Sequence, residues 1–186
     1  SAPGRGLGIA VGVTDSEAMP VSVALIRLLA DGSIMVMAGS TEVGQGTRTI
    51  LSQIAAEELD IPVEHVTMQA TNTNFTPFDR STGASRSTTV MGNAVRSAAK
   101  ELRQQIISAA AEVLKVEPND IELTDGEVIC NDKRFGYGKI VGLYFGMPGG
   151  ELIGRGYIRP GGGMDTQLPI FWETGMGGAD VSVDTE

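Results

Sequence analysis

Two glycines around one amide side chain set the first chemical possibility in this chain of 186 residues. The run is Gly39-Ser-Thr-Glu-Val-Gly-Gln-Gly-Thr-Arg-Thr49. Gly44 and Gly46 leave the backbone beside Gln45 free to take positive φ or to let a ligand come close. N–H groups at the helix start that follows favour a negatively charged group there. Taken alone, the run reads equally as an ordinary strand-to-helix turn. A second polar stretch, Asp79-Arg-Ser-Thr-Gly-Ala-Ser-Arg-Ser-Thr-Thr89, leads into a long helical pattern. Hydroxyls at Ser85, Ser87, Thr88 and Thr89 can cap that helix or bind an anion, and Arg86 adds a planar donor fork. Those groups suit a small phosphate, while the plain alternative is a capped helix with a surface arginine.

Other chemistry-bearing residues carry weaker readings. Glu42 has a place for a general base, although an acidic turn residue is commoner. Asp79 with Arg80 or Arg86 reads as a local ion pair. Tyr157, Phe171 and Trp172 could line a pocket, with packing in a core or interface the simpler role. His65 reads as a surface or strand-edge residue. The single cysteine, Cys130, excludes an intrachain disulfide framework, an iron–sulfur cluster and a multi-cysteine zinc site within this chain. No metal-ligand cluster, Walker loop or GxGxxG is present.

The elements that must carry these loops follow from periodicity. Apolar strands are predicted at 7–13, 21–29 and 33–38, with Asp31-Gly32 turning the second into the third. Apolar positions 50, 51, 54, 55 and 59 predict a helix over 47–59, stopped before Pro62. A strand is predicted at 65–70, then an irregular stretch over 71–89, long enough to suggest a functional loop. An alanine-rich amphipathic helix is predicted over 92–115, able to lie close against a sheet. Two short strands joined by Asp125-Gly126 form a hairpin, and 151–158 reads as a strand. Phe171 to Glu173 and residues 179–183 are candidate last strands, while 136–150 is too glycine-rich to assign. Without regular βαβ alternation, the fold class is α+β, with mixed or antiparallel sheets, two main amphipathic helices and a small β-hairpin subdomain.

A net charge of −9 and a pI near 4.6 argue against wrapping a nucleic acid. No apolar run approaches the twenty residues of a membrane span, and residues 1–6 are not signal-like, so no membrane partner and cytoplasmic residence are expected. The chain is expected to be an excised piece of a longer polypeptide.

The two loops together match a known pattern. The run 39–49, then Gln53-Ile-Ala-Ala-Glu57, Asn72-Thr-Asn-Phe-Thr-Pro-Phe-Asp79, Gly83-Ala-Ser-Arg-Ser-Thr88 and Gly92-Asn-Ala-Val95 occur in that order. This resembles the molybdenum-binding large subunit of the xanthine dehydrogenase/aldehyde oxidase family of molybdenum hydroxylases. The similarity is strongest over 39–99, recognisable in the opening strands and in 171–186, and weak over 117–163. The resemblance implies a partial molybdenum-cofactor-binding domain over 1–186, with 117–163 an insert or small subdomain. It implies that Gly44, Gln45 and Gly46 approach the molybdenum end of a molybdopterin cofactor, in plain or cytosine dinucleotide form. Gly83, Ala84, Ser85, Arg86, Ser87 and Thr88 would cradle the pterin and its phosphate, with residues 161–163 near any dinucleotide part.

The implied reaction is hydroxylation of an aldehyde or N-heterocyclic carbon with oxygen from water. Electrons would leave through 2Fe-2S and flavin (FAD) centres on other domains or subunits. The family's glutamate base lies beyond this chain, so no catalytic residue and no metal ligand is expected within it. The fragment is expected to be inactive without the remainder of the large subunit. A cofactor-binding or assembly module without catalysis is the alternative.

Overall fold

In the computed structural model, residues 4–15, 21–80, 82–146, 149–159 and 172–184 are described. The strands and helices are β1 (Arg5–Asp15), β2 (Ser22–Leu29), β3 (Ile34–Ala38), α1 (Thr47–Leu59), β4 (Val66–Met68) and α2 (Gly92–Leu114). They continue with β5 (Glu122–Thr124), β6 (Glu127–Cys130), β7 (Lys133–Gly136), α3 (Tyr137–Phe145), β8 (Glu151–Ile158) and β9 (Trp172–Ser182). The main sheet has the order β4-β3-β2-β8, parallel between β3 and β4 and antiparallel elsewhere. This mixed sheet packed under helices is the expected α+β class.

Alternation builds the core. Ala24, Ile26 and Leu28 of β2 and Ile34, Val36 and Ala38 of β3 are buried on one sheet face. Burying side chains such as Ile26 or Leu28 is worth about 1.5–3 kcal/mol each. Over them lies α2, whose Ala94, Val95, Ala98, Leu102 and Ile106 point inward, beside Leu51, Ala55 and Leu59 of α1. The alanines of α2 meet a matching surface on β8. A Cβ at Gly154 would stand 2.1 Å from the Ala98 carbonyl oxygen, and one at Gly156 only 2.0 Å from that of Ala94. Helix and strand backbones therefore touch directly at these two positions.

The predicted hairpin forms, with Asp125 and Gly126 both at positive φ, the geometry of a type I′ turn. A third strand, β7, follows through Asn131 and Asp132, also at positive φ. The unassigned stretch holds α3, anchored where Gly138 packs against the backbone of Ala30 and Gly32. Tyr137 donates its hydroxyl to the Leu59 carbonyl at 2.8 Å, and burial pushes its phenol pKa up. Within the stretch 117–163, β8 is a strand of the main sheet, while β5 to β7 form a separate small sheet.

The first and last strands do not join the main sheet. β1 and β9 pair with each other in antiparallel register from Arg5↔Ser182 to Asp15↔Trp172. The two candidate last strands are thus one strand, of which Phe171 lies outside the described residues. Leu7, Ile9, Val11, Val13 and Met176 share one face of this ribbon and are all exposed. On the other face Gly8, Ala10, Gly12, Gly175, Gly177 and Ala179 make a nearly flat middle between Val181 and the Thr14–Glu173 pair. Tyr157 and Trp172, read as pocket or packing residues, are 54% and 60% exposed.

Candidate functional site

The first loop leaves β3 through Gly39, where there is no room for a side chain. A Cβ there would lie 2.6 Å from the Pro77 carbonyl oxygen and 2.9 Å from the Asp79 nitrogen. The loop is thereby seated on the second polar stretch from its first residue. Gly44 (φ 101°) and Gly46 (φ 78°) take the left-handed conformations that make glycine the favoured residue. Gln45 is exposed, yet its amide is tied at both ends. Its Oε1 accepts from the Val43 N–H at 2.7 Å, and its Nε2 donates to the Thr41 carbonyl at 2.8 Å. An amide carries two donor hydrogens and two acceptor lone pairs, so Gln45 keeps capacity for a further partner in a fixed orientation.

A side chain of this chain already engages part of the helix start. Glu42 accepts from Gly44 N–H at 2.8 Å, Gly46 N–H at 3.1 Å and Arg48 N–H at 3.2 Å. Its carboxylate is a negative group at the α1 N-terminus, of the charge that the helix start favours. These bonds, that from Arg48 first, hold the Glu42 pKa below its ordinary value. A carboxylate so stabilised is a poor proton acceptor, and its place is structural. Its contribution is complete above the unfolded-state pKa, about 4.3, and is lost as pH falls through the lower folded value. Amide exchange of Gly44 and Gly46 is therefore expected to accelerate on acidification, relative to intrinsic rates. In Glu42→Ala, which removes the acceptor of both amides, it should be fast already at neutral pH and insensitive to acid.

The second loop turns through Gly83, Ala84 and Ser85. Ala84 and Ser85 both sit at φ 49°, a conformation that costs a residue with a side chain about 1–2 kcal/mol. Strain of this kind persists where surrounding structure enforces it, often at ligand clamps. Arg86 N–H closes the turn on the Gly83 carbonyl at 3.2 Å. One π-helical turn, Ser87–Met91, then opens into α2, another irregularity frequent at functional sites. Gly83, Ala84, Ser85 and Thr88 are exposed and Ser87 is half-buried.

Arg86 is neither a surface residue nor an open anion receptor. Its side chain is 3% exposed and pairs with Asp79, itself 1% exposed, at 2.8 Å. It also donates to the carbonyls of Arg80 (2.8 Å) and Val21 (2.7 Å) and to Ser22 Oγ (3.0 Å). Asp79 accepts in addition from Ser22 Oγ at 2.5 Å and Ser40 Oγ at 2.7 Å. Asp79 and Arg86 form the ion pair read from sequence, but its burial and its two serine partners were not legible there. The only sequence signal was a hydroxyl at the end of each neighbouring strand and an acid seven residues before an arginine.

Two cavities, of about 1140 and 620 Å³, lie elsewhere, one beside Glu57, Asp60, Arg96 and Arg103 and one beside Asp31, His65 and Tyr137. Neither is lined by residues 44–46 or 83–88. His65 is exposed and Cys130 is a buried free thiol. Among the described residues, no group of three or more His, Cys, Asp or Glu could hold a metal ion. Residues 161–163 lie outside the described residues.

The molybdopterin cofactor-binding domain family matches residues 2–186. The xanthine dehydrogenase molybdenum-binding subunit of Escherichia coli O157:H7 is 40% identical over 134 residues, covering 69% of this chain and 18% of that protein. The 6-hydroxypseudooxynicotine dehydrogenase complex subunit gamma of Paenarthrobacter nicotinovorans is 35% identical over 127 residues, covering 67% of this chain and 16% of that protein. The chain thus spans less than a fifth of the length of these relatives. Quinoline 2-oxidoreductase from Pseudomonas putida 86 superposes with a TM-score of 0.77 over 97% of this chain and 25% of the other, at 24% identity, a likeness of fold.

Proposed function

The chain belongs to the molybdopterin cofactor-binding domain family, and on that premise we propose that residues 44–46 and 83–88 form one side of the cofactor site of a molybdenum hydroxylase. The observation that carries this reading is open space at the loop glycines. A Cβ at Gly44, Gly46 or Gly83 would meet nothing within 4 Å. Positive φ is reason enough for glycine at Gly44 and Gly46, whereas neither φ nor packing within the chain requires it at Gly83, and the bare backbone at all three suits close approach by a planar, polar group. The residues therefore fit a pterin. The held amide of Gln45 would orient the molybdenum end, and backbone groups of 83–86 with the hydroxyls of Ser85, Ser87 and Thr88 would bind the pterin and its phosphate. The Arg86 side chain lies too deep for direct contact and contributes through its backbone.

When bound, the molybdenum–pterin group supplies oxygen transfer from water to an aldehyde or N-heterocyclic carbon, with two-electron oxidation of the substrate. This chain's residues bind and orient it, in the plain or cytosine dinucleotide form. Glu42 is engaged by three amides, and the family resemblance places the proton-abstracting carboxylate in the remainder of the large subunit, which would leave the fragment inactive alone. Electrons would pass to 2Fe-2S and FAD centres on other domains or subunits, in keeping with a relative named as a subunit of a dehydrogenase complex. The exposed apolar face of the β1–β9 ribbon supports docking onto the remaining large subunit, because a lone two-stranded ribbon is marginal in water. No helix among the described residues is long and apolar enough to cross a membrane, and we place the enzyme in the cytoplasm.

Analysis of the native full-length assembly for molybdenum and pterin tests the reading. About one of each per large subunit is expected, and an assembly lacking both after expression in a cofactor-competent host would contradict it.

A further inference from the structure

The two loops come from different elements, one after β3 and one before α2, and a shared site requires their spacing to be fixed. One buried carboxylate touches both. Asp79 Oδ2 accepts from Ser40 Oγ at 2.7 Å, holding the root of the first loop. Asp79 Oδ1 accepts from Arg86 at 2.8 Å, holding the second loop where it enters α2. The same oxygen accepts from Ser22 Oγ at 2.5 Å, tying both to β2 in the centre of the sheet. Gly39 removes the side chain that would otherwise keep the first loop off Asp79, since a Cβ there would lie 3.0 Å from the Asp79 Cβ. Thr82 Oγ1 adds a longer link to the Thr41 carbonyl at 3.4 Å.

We propose that Asp79, with Arg86 as its counter-ion, is a positioning residue that sets the separation of the two cofactor-binding loops. The inference rests on the cofactor reading above and deepens it. Both side chains are shut away from solvent, at 1% and 3% exposure, so neither reaches a ligand directly. Their charges cancel, so the pair adds no attraction for an anion. What it supplies is geometry: the guanidinium fork has fixed directions, and a carboxylate accepting from two loops and the sheet cannot move relative to any of them. A cofactor gripped by both loops benefits from this preorganisation, because otherwise binding must itself order them.

The full-length, cofactor-loaded assembly tests it with four variants. Ser40→Ala cuts the tether to the first loop and leaves the ion pair intact. Asp79→Leu with Arg86→Met removes both charges together, so that no unpaired ion remains buried to unfold the protein. Gly83→Val tests the underlying cofactor reading alone. The readouts are the first-order rate of pterin release, the thermal midpoint and the electron paramagnetic resonance of the molybdenum(V) state.

Ser40→Ala is expected to release pterin about tenfold faster, the low end of the range for one hydrogen bond to a charged group, with a thermal midpoint lowered by only a few degrees. Ser40→Thr, which keeps the hydroxyl, should restore the slow rate. The double variant should fold, release pterin at least as fast as Ser40→Ala and broaden the resonance signal through a less fixed metal environment. Wild-type release from Ser40→Ala and from the double variant, while Gly83→Val strips the cofactor, would leave the cofactor reading standing and overturn the positioning role. Full cofactor retention in Gly83→Val would overturn the cofactor reading, and the positioning role with it.

Discussion

Gly156→Ala is expected to destabilise the protein by about 3 kcal/mol or more, at the upper end of the cost of overpacking a core. The reason is the identity of the atoms in the way. The new Cβ would stand 2.0 Å from the Ala94 carbonyl oxygen and 2.4 Å from the Ala98 nitrogen, both backbone atoms of α2. A flexible side chain could turn aside, but a helix must move as a whole, by roughly an ångström or more to reach ordinary contact. That shift would also loosen Ala94, Ala98 and Leu102 from β2 and β8. For a domain of this size the loss corresponds to a fall in melting temperature of roughly 6–12 °C. Gly154→Ala meets Ala98 and Leu102 in the same way and should behave alike. Unfolding followed by far-ultraviolet circular dichroism measures both, and the double variant should be less than additive because one helix shift relieves both clashes.

A second large effect is expected at Asp79 and Arg86. Truncating either to alanine leaves the other charge buried at 1–3% exposure, which costs about 3–5 kcal/mol. Replacing both with apolar residues of similar size removes the stranded charge, and most of the stability should return. A double-mutant cycle in urea reads the coupling directly. If each single variant unfolds within about 0.5 kcal/mol of wild type, the range of an ordinary surface substitution, the pair is not the buried knot described above.

Strong local patterns made much of the scaffold legible in the sequence. Apolar runs marked β2 and β3, the apolar spacing of 50, 51, 54, 55 and 59 marked α1, and Asp125-Gly126 marked the β5–β6 turn. What escaped depends on partners distant in the chain. Helix α3 carries Gly138 and Gly142 inside it, which lowers its local propensity, and its place is fixed by the close approach of Gly138 to the β2–β3 turn. In β9, Gly175, Gly177 and Gly178 hide the alternation, and the strand exists by pairing with β1 at the other end of the sequence. Gly154 and Gly156 were visible as glycines, but nothing local shows that Ala94 and Ala98 lie against them.

The site divides in the same way. The glycines of both loops could be read, and the structure sets Gly44, Gly46 and Gly83 in open space while Gly39 is tightly packed. The function of Glu42 could not, because a carboxylate that folds forward onto three later amides has the same sequence signature as an acidic turn residue. Arg86 offered a guanidinium suited to phosphate. Its inward direction is decided by Asp79, Ser22 and the carbonyls of Val21 and Arg80, which the fold assembles around it.

The central claim, that the backbone of residues 44–46 and 83–88 receives a pterin cofactor, is tested most directly by cofactor content in Gly83→Val. Gly83 has no left-handed φ and an added Cβ there meets nothing of the chain within 4 Å, so valine occupies room assigned to the ligand. Molybdenum and pterin are measured in the full-length assembly beside its melting temperature. The account predicts an unchanged melting temperature of the cofactor-free protein and loss of most of the bound pterin and molybdenum. A variant that retains the full complement of both would contradict it.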